Sequence, residues 1–390
     1  MNNNIVLSND LSLLQIRYDC ETVYSLIKGL PSDGVTALGV LPYYSLTLAS
    51  TLELIKFDET EDLSKEDLLK IKDIRLKLKV FEDSFGKSRK MILNIDYLQD
   101  QFFKNKLRFK FMRNWNINYN LGLYTDKNNK IVGNTQYSYY LFQNSKFLKR
   151  RIEEVTKAYS QSPDTFDLNE QTNKEAFTYG YNCGMLINSF CSEFLMIGSP
   201  VVVSVKQHPI QYFYADFNTN RKSQLFPNGE DGKAVILFLI HILSTINFLL
   251  YVLNSYEDED YGWFGKVNYI AYYYALQKLH SLYRYFKQNK LLTPGISKYF
   301  DMLKLDDDKY LNSSFRSYVM HSKFIDKNGN FLISSQYFDK EKVLFGLVES
   351  CFSGMTYSDF KLNIVSELTK ISDILSQWLG ADNLSTKILN

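Results

Sequence analysis

The pattern of apolar and polar positions changes character part-way along this 390-residue chain. Over the first 225 residues it is mixed. GVTALGVLPYYSLTLAS (34–50) and SPVVVSVKQHPIQYFYADF (199–217) are rich in β-branched and aromatic residues beside turn chemistry, which predicts strands. Between them, 63–85 opens with Ser64 and Asp67 in capping-box spacing. Apolar residues then recur every three or four positions, which predicts a helix. Segments 144–162 and 168–198 read as helices in the same way. The polar stretch NTNRKSQLFPNGEDGK (218–233), with its Pro and Gly, marks a boundary.

Beyond the boundary, helical spacing takes over. Residues 234–254 are apolar nearly all round. Residues 264–289 carry Tyr269, Tyr272, Tyr273, Leu276, Leu279, Tyr283 and Phe286 on one broad face, and Pro294 with Gly295 is expected to close that helix. A third helix begins near Phe315 and is expected to stop at the turn DKNGN (326–330). Lys340 to Phe352 and Tyr357 to Leu379 supply two more, separated by Ser353 and Gly354. Five helices with short loops and no strand predict a bundle. The expected class is α+β: a mixed α/β domain over 1–225, then an all-α helical domain over 226–390.

The apolar run 234–253 is long enough to span a bilayer. Against that, it holds His241, Ser244, Thr245 and Asn247 near its centre. Its far flank is acidic (Glu257 to Asp260), and no aromatic-plus-basic belt borders it. A buried core helix is the expectation, with a membrane-anchored protein as the alternative. The start, MNNNIVLSND, has no basic segment followed by an apolar run, so no signal peptide is expected. Cys20, Cys183, Cys191 and Cys351 form no C-x-x-C pair and read as free thiols of a reducing, cytoplasmic compartment.

Basic and acidic side chains nearly cancel, 45 against 43, so any polyanion must be held by a local patch rather than a global field. The clearest patch is KNKLRFKFMR (104–113). As a strand it places Lys106, Arg108 and Lys110 on one face and apolar residues on the other, which suits phosphate binding. An edge strand guarded by positive charge has the same pattern. Lys146, Lys149, Arg150 and Arg151 read as the solvated side of a helix.

Common catalytic signatures are missing: no Walker loop, G-x-G-x-x-G, H-E-x-x-H or G-x-S-x-G occurs. The four histidines are scattered (His208, His241, His280, His321), and Asp306 to Asp308 read as a solvated loop, so no metal site is expected. What remains is FRSYVMHSKF (315–324), in which Arg316 and His321 stand five positions apart with Ser317 and Lys323 as supporting polar residues. Asn312, Ser313 and Ser314 can cap a helix starting just before Arg316, and Tyr318, Val319 and Phe324 can anchor it. On an ideal helix, five residues separate two side chains by about 140° and about 7.5 Å. A compact site therefore needs an irregular first turn or a second copy of the helix across a dyad.

An R-x4-H pattern at the start of a helix, with long helices before it and more after it, resembles the HEPN superfamily of nucleases over residues 226–390. In that family Asn, His or Asp often follows the arginine; here it is Ser317. The resemblance implies metal-independent RNA cleavage at motifs paired in a homodimer, with no cofactor. It also implies a role as a toxin or antiviral effector restrained by a trigger or antitoxin protein. The chemistry of the two side chains agrees. RNA carries its own nucleophile, the 2′-hydroxyl. Histidine moves protons near neutral pH, and arginine's permanent charge suits a crowded phosphate. A non-catalytic dimerisation or interaction module, in which the pair is structural, is the alternative from another class.

Overall fold

The computed structural model describes residues 3–31, 33–54, 84–89, 120–134, 188–193, 203–218, 229–305, 309–381 and 386–388, with single residues at 185, 195 and 384. Among the described residues helices dominate, with one small antiparallel sheet, which makes the class α+β. The chain runs α1 (Asn3–Gly29), α2 (Gly34–Leu54), β1 (Asn120–Thr125), β2 (Ile131–Asn134) and β3 (Phe213–Asn218). After these come α3 (Gly229–Asn247), α4 (Trp263–Gln288), α5 (Pro294–Leu303), α6 (Ser313–His321), α7 (Leu347–Cys351), α8 (Tyr357–Leu379) and β4 (Thr386–Ile388). The sheet order is β2-β1-β3-β4, every pairing antiparallel. One continuous set of buried apolar residues extends from Leu11 to Ala381.

The expected strand over 34–50 is instead helix α2. Fifteen of its residues are buried, on every side, so one-sided periodicity is lost and β-branched content misleads. Its hydroxyls bond back along the helix: Thr47 to the Tyr43 carbonyl (3.2 Å), Ser50 to Leu46 (2.9 Å) and Thr51 to Thr47 (2.8 Å). These contacts satisfy polar groups that apolar surroundings would otherwise strand. Pro42 lies inside the helix, where it has no N–H to give the Leu38 carbonyl, and Ser45 Oγ donates to the Pro42 carbonyl at 2.8 Å. Of the strand expected over 199–217, the part from 203 on is described, and within it Phe213–Asn218 is regular strand. Upstream, Val205 makes a single bridge to Glu257. The helix expected over 168–198 is helical across 188–193; residues 63–83 and 144–162 lie outside the described residues.

The apolar run is α3, prolonged by a π turn (Phe248–Val252) and a 3-10 turn (Leu253–Tyr256). Both 34–54 and 232–256 are long and apolar enough to cross a bilayer, yet 78% of each most apolar window is buried inside the protein. α3 packs on β2, α4 and α8. At the π turn the Phe248 ring lies so close to Gly39 of α2 that a Cβ there would sit 2.4 Å from it, which explains a glycine in mid-helix.

His241 of α3 has its Nε2 buried, and burial together with the charge of Lys278 lowers its pKa from 6.5 to about 3. The ring is therefore neutral in the fold and protonates readily only when unfolded. The stability it contributes is complete above pH 6.5 and lost as pH falls from 6.5 towards about 3, at about 1.4 kcal/mol per pH unit. Urea unfolding at stepped pH should show a shallower acid slope in His241→Gln than in wild type. Identical slopes would remove His241 from the account.

α4 ends at Gln288 as its pattern predicts, but Pro294 opens a helix rather than closing one. It is the first residue of α5, and Thr293 Oγ1 caps that helix by accepting from Ile296 N–H at 3.3 Å. The helix expected over 340–352 is broken. Leu344 and Phe345 adopt left-handed φ of 54° and 57°, and only Leu347–Cys351 is α-helical. Gly346 follows them at φ 89°, where a Cβ would stand 2.1 Å from the Tyr337 carbonyl oxygen, so only glycine fits there. The all-α expectation for the second half also misses β4, which pairs with β3.

Candidate active site

α6 is built as its sequence predicts at the start. Asn312 Oδ1 accepts from Phe315 N–H at 2.9 Å, and the Asn312 amide is itself held by the Cys351 carbonyl at 2.8 Å. Phe315, Tyr318, Val319 and Phe324 are all buried and anchor the segment. The helix ends sooner than expected, at His321, because Ser322 takes a left-handed φ of 52° and its N–H returns to the Tyr318 carbonyl at 2.6 Å. DKNGN forms a separate turn in which Asp326 Oδ1 accepts from the N–H groups of Asn328 and Asn330, each at 2.8 Å.

Arg316 and His321 face different neighbours. Arg316 Nη2 donates to Tyr274 Oη of α4 at 2.5 Å, with the guanidinium 5.7 Å from that ring's centre. His321 Nδ1 lies 2.7 Å from Glu53 Oε2 in the last turn of α2, and the two side chains are 42% and 34% exposed. Among the described residues, Nε2 of His321 has no hydrogen-bond partner. Ser317 and Lys323 are exposed. One copy of α6 therefore does not join the arginine to the histidine, as the helical offset requires. Lys106, Arg108, Lys110, the basic group at 146–151 and Asp306 to Asp308 lie outside the described residues. No cluster of metal-ligating side chains occurs among the described residues.

Behind α6 lies a polar network that the sequence pattern did not flag. Lys266 of α4 and Asp19 of α1 form an ion pair with both side chains buried. Gln15 Nε2 donates to Asp19 Oδ1 (3.0 Å) and to the Tyr261 carbonyl (2.8 Å). Burial pushes the Asp19 carboxyl up, although Lys266 opposes the shift. The Lys266 ammonium also lies 5.6 Å from the centre of the Tyr318 ring, so this network touches the inner face of α6. Nearby, Asp260 accepts from Tyr357 Oη and from Lys361, and Lys361 also pairs with Glu257. The one available signal was Lys266 itself, a charge three positions before Tyr269 on the apolar face of α4.

Comparison with known proteins yields no kinship: no family model, curated protein or solved structure matches this chain.

Proposed function

We propose that this protein is a cytoplasmic, metal-independent endoribonuclease of HEPN type, active as a homodimer. The observation that carries the reading is the half-exposed His321, bonded through Nδ1 to a carboxylate and with Nε2 left for a substrate. An imidazole so arranged can accept the 2′-hydroxyl proton of RNA and later protonate the departing 5′-oxygen. Attack of the 2′-oxygen on the neighbouring phosphorus breaks the bond to the 5′-oxygen, giving a 2′,3′-cyclic phosphate and a 5′-hydroxyl end. Arg316 keeps four N–H donors beyond the one given to Tyr274 and supplies the charge for the crowded phosphate. Because the two side chains diverge on one helix, the arginine of one copy serves the histidine of the other. By the same resemblance, the enzyme acts in antiviral defence or as a toxin, under a trigger or antitoxin protein.

The test is incubation of end-labelled RNA with the purified protein in EDTA, alongside His321→Ala. Wild type should cut and leave cyclic-phosphate ends. The variant should fall about 10²- to 10⁴-fold, the usual contribution of a positioned acid–base group. Equal cleavage by both overturns the assignment. No cleavage by either favours the interaction-module reading, which the engagement of Arg316 with Tyr274 already suits.

A further inference from the structure

We infer that Glu53, in the last turn of α2, is a positioning residue for His321, so that the N-terminal region completes the site rather than only regulating it. The inference rests on the proposed ribonuclease reading and extends it outside the span, 226–390, that carries the R-x4-H resemblance.

Two contacts dock the end of α2 on the end of α6. Glu53 Oε2 lies 2.7 Å from His321 Nδ1, and Ser50 Oγ donates to the Met320 carbonyl at 3.1 Å as well as to Leu46 within its own helix. Ser50 and Met320 are buried, while Glu53 and His321 are half-exposed, so a fixed platform carries an accessible polar pair. α2 itself is held on all sides, and Trp263 Nε1 donates to its Thr47 Oγ1 at 2.9 Å. The carboxylate is therefore presented from a rigid element, the condition for orienting a ring within a fraction of an ångström.

A carboxylate can only accept a hydrogen bond, so it demands a proton on Nδ1 of the facing imidazole. The neutral ring then bears its proton on Nδ1 and a bare lone pair on Nε2, the form needed to take the 2′-hydroxyl proton. Without the carboxylate nothing at Nδ1 selects this tautomer, and the ring also loses one of its tethers. Once the ring has gained a proton, the same carboxylate faces the imidazolium and steadies it until the proton passes to the 5′-oxygen.

The experiment uses the full chain labelled with ¹⁵N-histidine. Only four histidines are present, so the His321 ring signals are those that vanish in His321→Gln. At a pH where the ring is neutral, wild type should show the Nδ1–H tautomer. Glu53→Leu, which removes the acceptor at a half-exposed position, should shift His321 towards the Nε2–H form. The thermal midpoint should change little. Glu53→Gln, whose amide can offer either oxygen or NH2, should give a mixture of the two. In the RNA assay Glu53→Leu should lower kcat about tenfold to a hundredfold with KM nearly unchanged, part of the acid–base contribution. An Nε2–H tautomer in wild type, or a tautomer unmoved by Glu53→Leu, overturns the inference even if RNA is cut. The expected tautomer shift in a protein that never cuts RNA leaves the positioning contact standing and removes the ribonuclease reading instead.

Discussion

Replacing Lys266 by Met should lower the unfolding free energy by about 3–5 kcal/mol, the usual cost of leaving one member of a buried ion pair without its partner. Lys266 and Asp19 are 5% and 2% exposed, and their contact ties α1 to α4 across 247 residues of chain. Gln15 gives Asp19 one amide hydrogen bond, which cannot replace a full charge. The ammonium also faces the Tyr318 ring, so its loss loosens the inner wall of α6. The carboxyl has one escape. Burial already raises its pKa in the fold, so in Lys266→Met it can accept a proton instead of remaining charged. A raised carboxyl contributes stability below its unfolded value of 3.8 and loses it as pH rises through the folded value. Acidifying Lys266→Met should therefore recover part of the deficit relative to wild type. The double variant Lys266→Met with Asp19→Leu should recover more, because apolar groups of similar volume replace a buried pair at little net cost. Urea midpoints for the three proteins decide the matter, and a single variant as stable as wild type would show that the pair contributes nothing.

Cleavage should return when Arg316→Ala and His321→Ala are co-expressed, although each variant alone is inactive. The two side chains leave α6 about 140° apart, and the fold sends one to Tyr274 on α4 and the other to Glu53 on α2. If each site takes its arginine from one copy and its histidine from the other, a mixed dimer keeps one intact site and one doubly impaired site. Random assortment makes half the dimers mixed, so activity should recover to about a quarter of wild type. Activity no higher than that of the separate variants would place both groups within one chain or leave the pair without a catalytic role. A wild type that is monomeric in solution while cutting RNA would exclude the shared site directly.

The residues themselves show how far sequence reasoning reaches. α8 and the second half of α4 are legible because buried and exposed positions alternate there with the 3.6-residue period, whereas Trp263–Tyr272 of α4 are all buried. α6 was legible at its beginning because Asn312 caps locally, within three residues. Its end was not, since the left-handed Ser322 carries no sequence mark of the kind glycine provides. α2 was misread because burial on all sides erases periodicity, leaving only composition, and its composition favours strand. The break at 344–346 is not legible because the need for glycine at 346 comes from the Tyr337 carbonyl, which approaches it only once the chain has turned back on itself.

For the candidate site the division is similar. Local rules acting on FRSYVMHSKF were enough to place Arg316 and His321 on one capped helix and to require that they diverge. Their partners were another matter. Glu53 stands 268 residues before His321, and Tyr274 stands 42 residues before Arg316. Helix period and cap chemistry act over a few residues, so the sequence alone determined the helix and its angular offset. Which carboxylate meets the imidazole was decided by how α2, buried on every face, packs against α6, and only the tertiary structure holds that information.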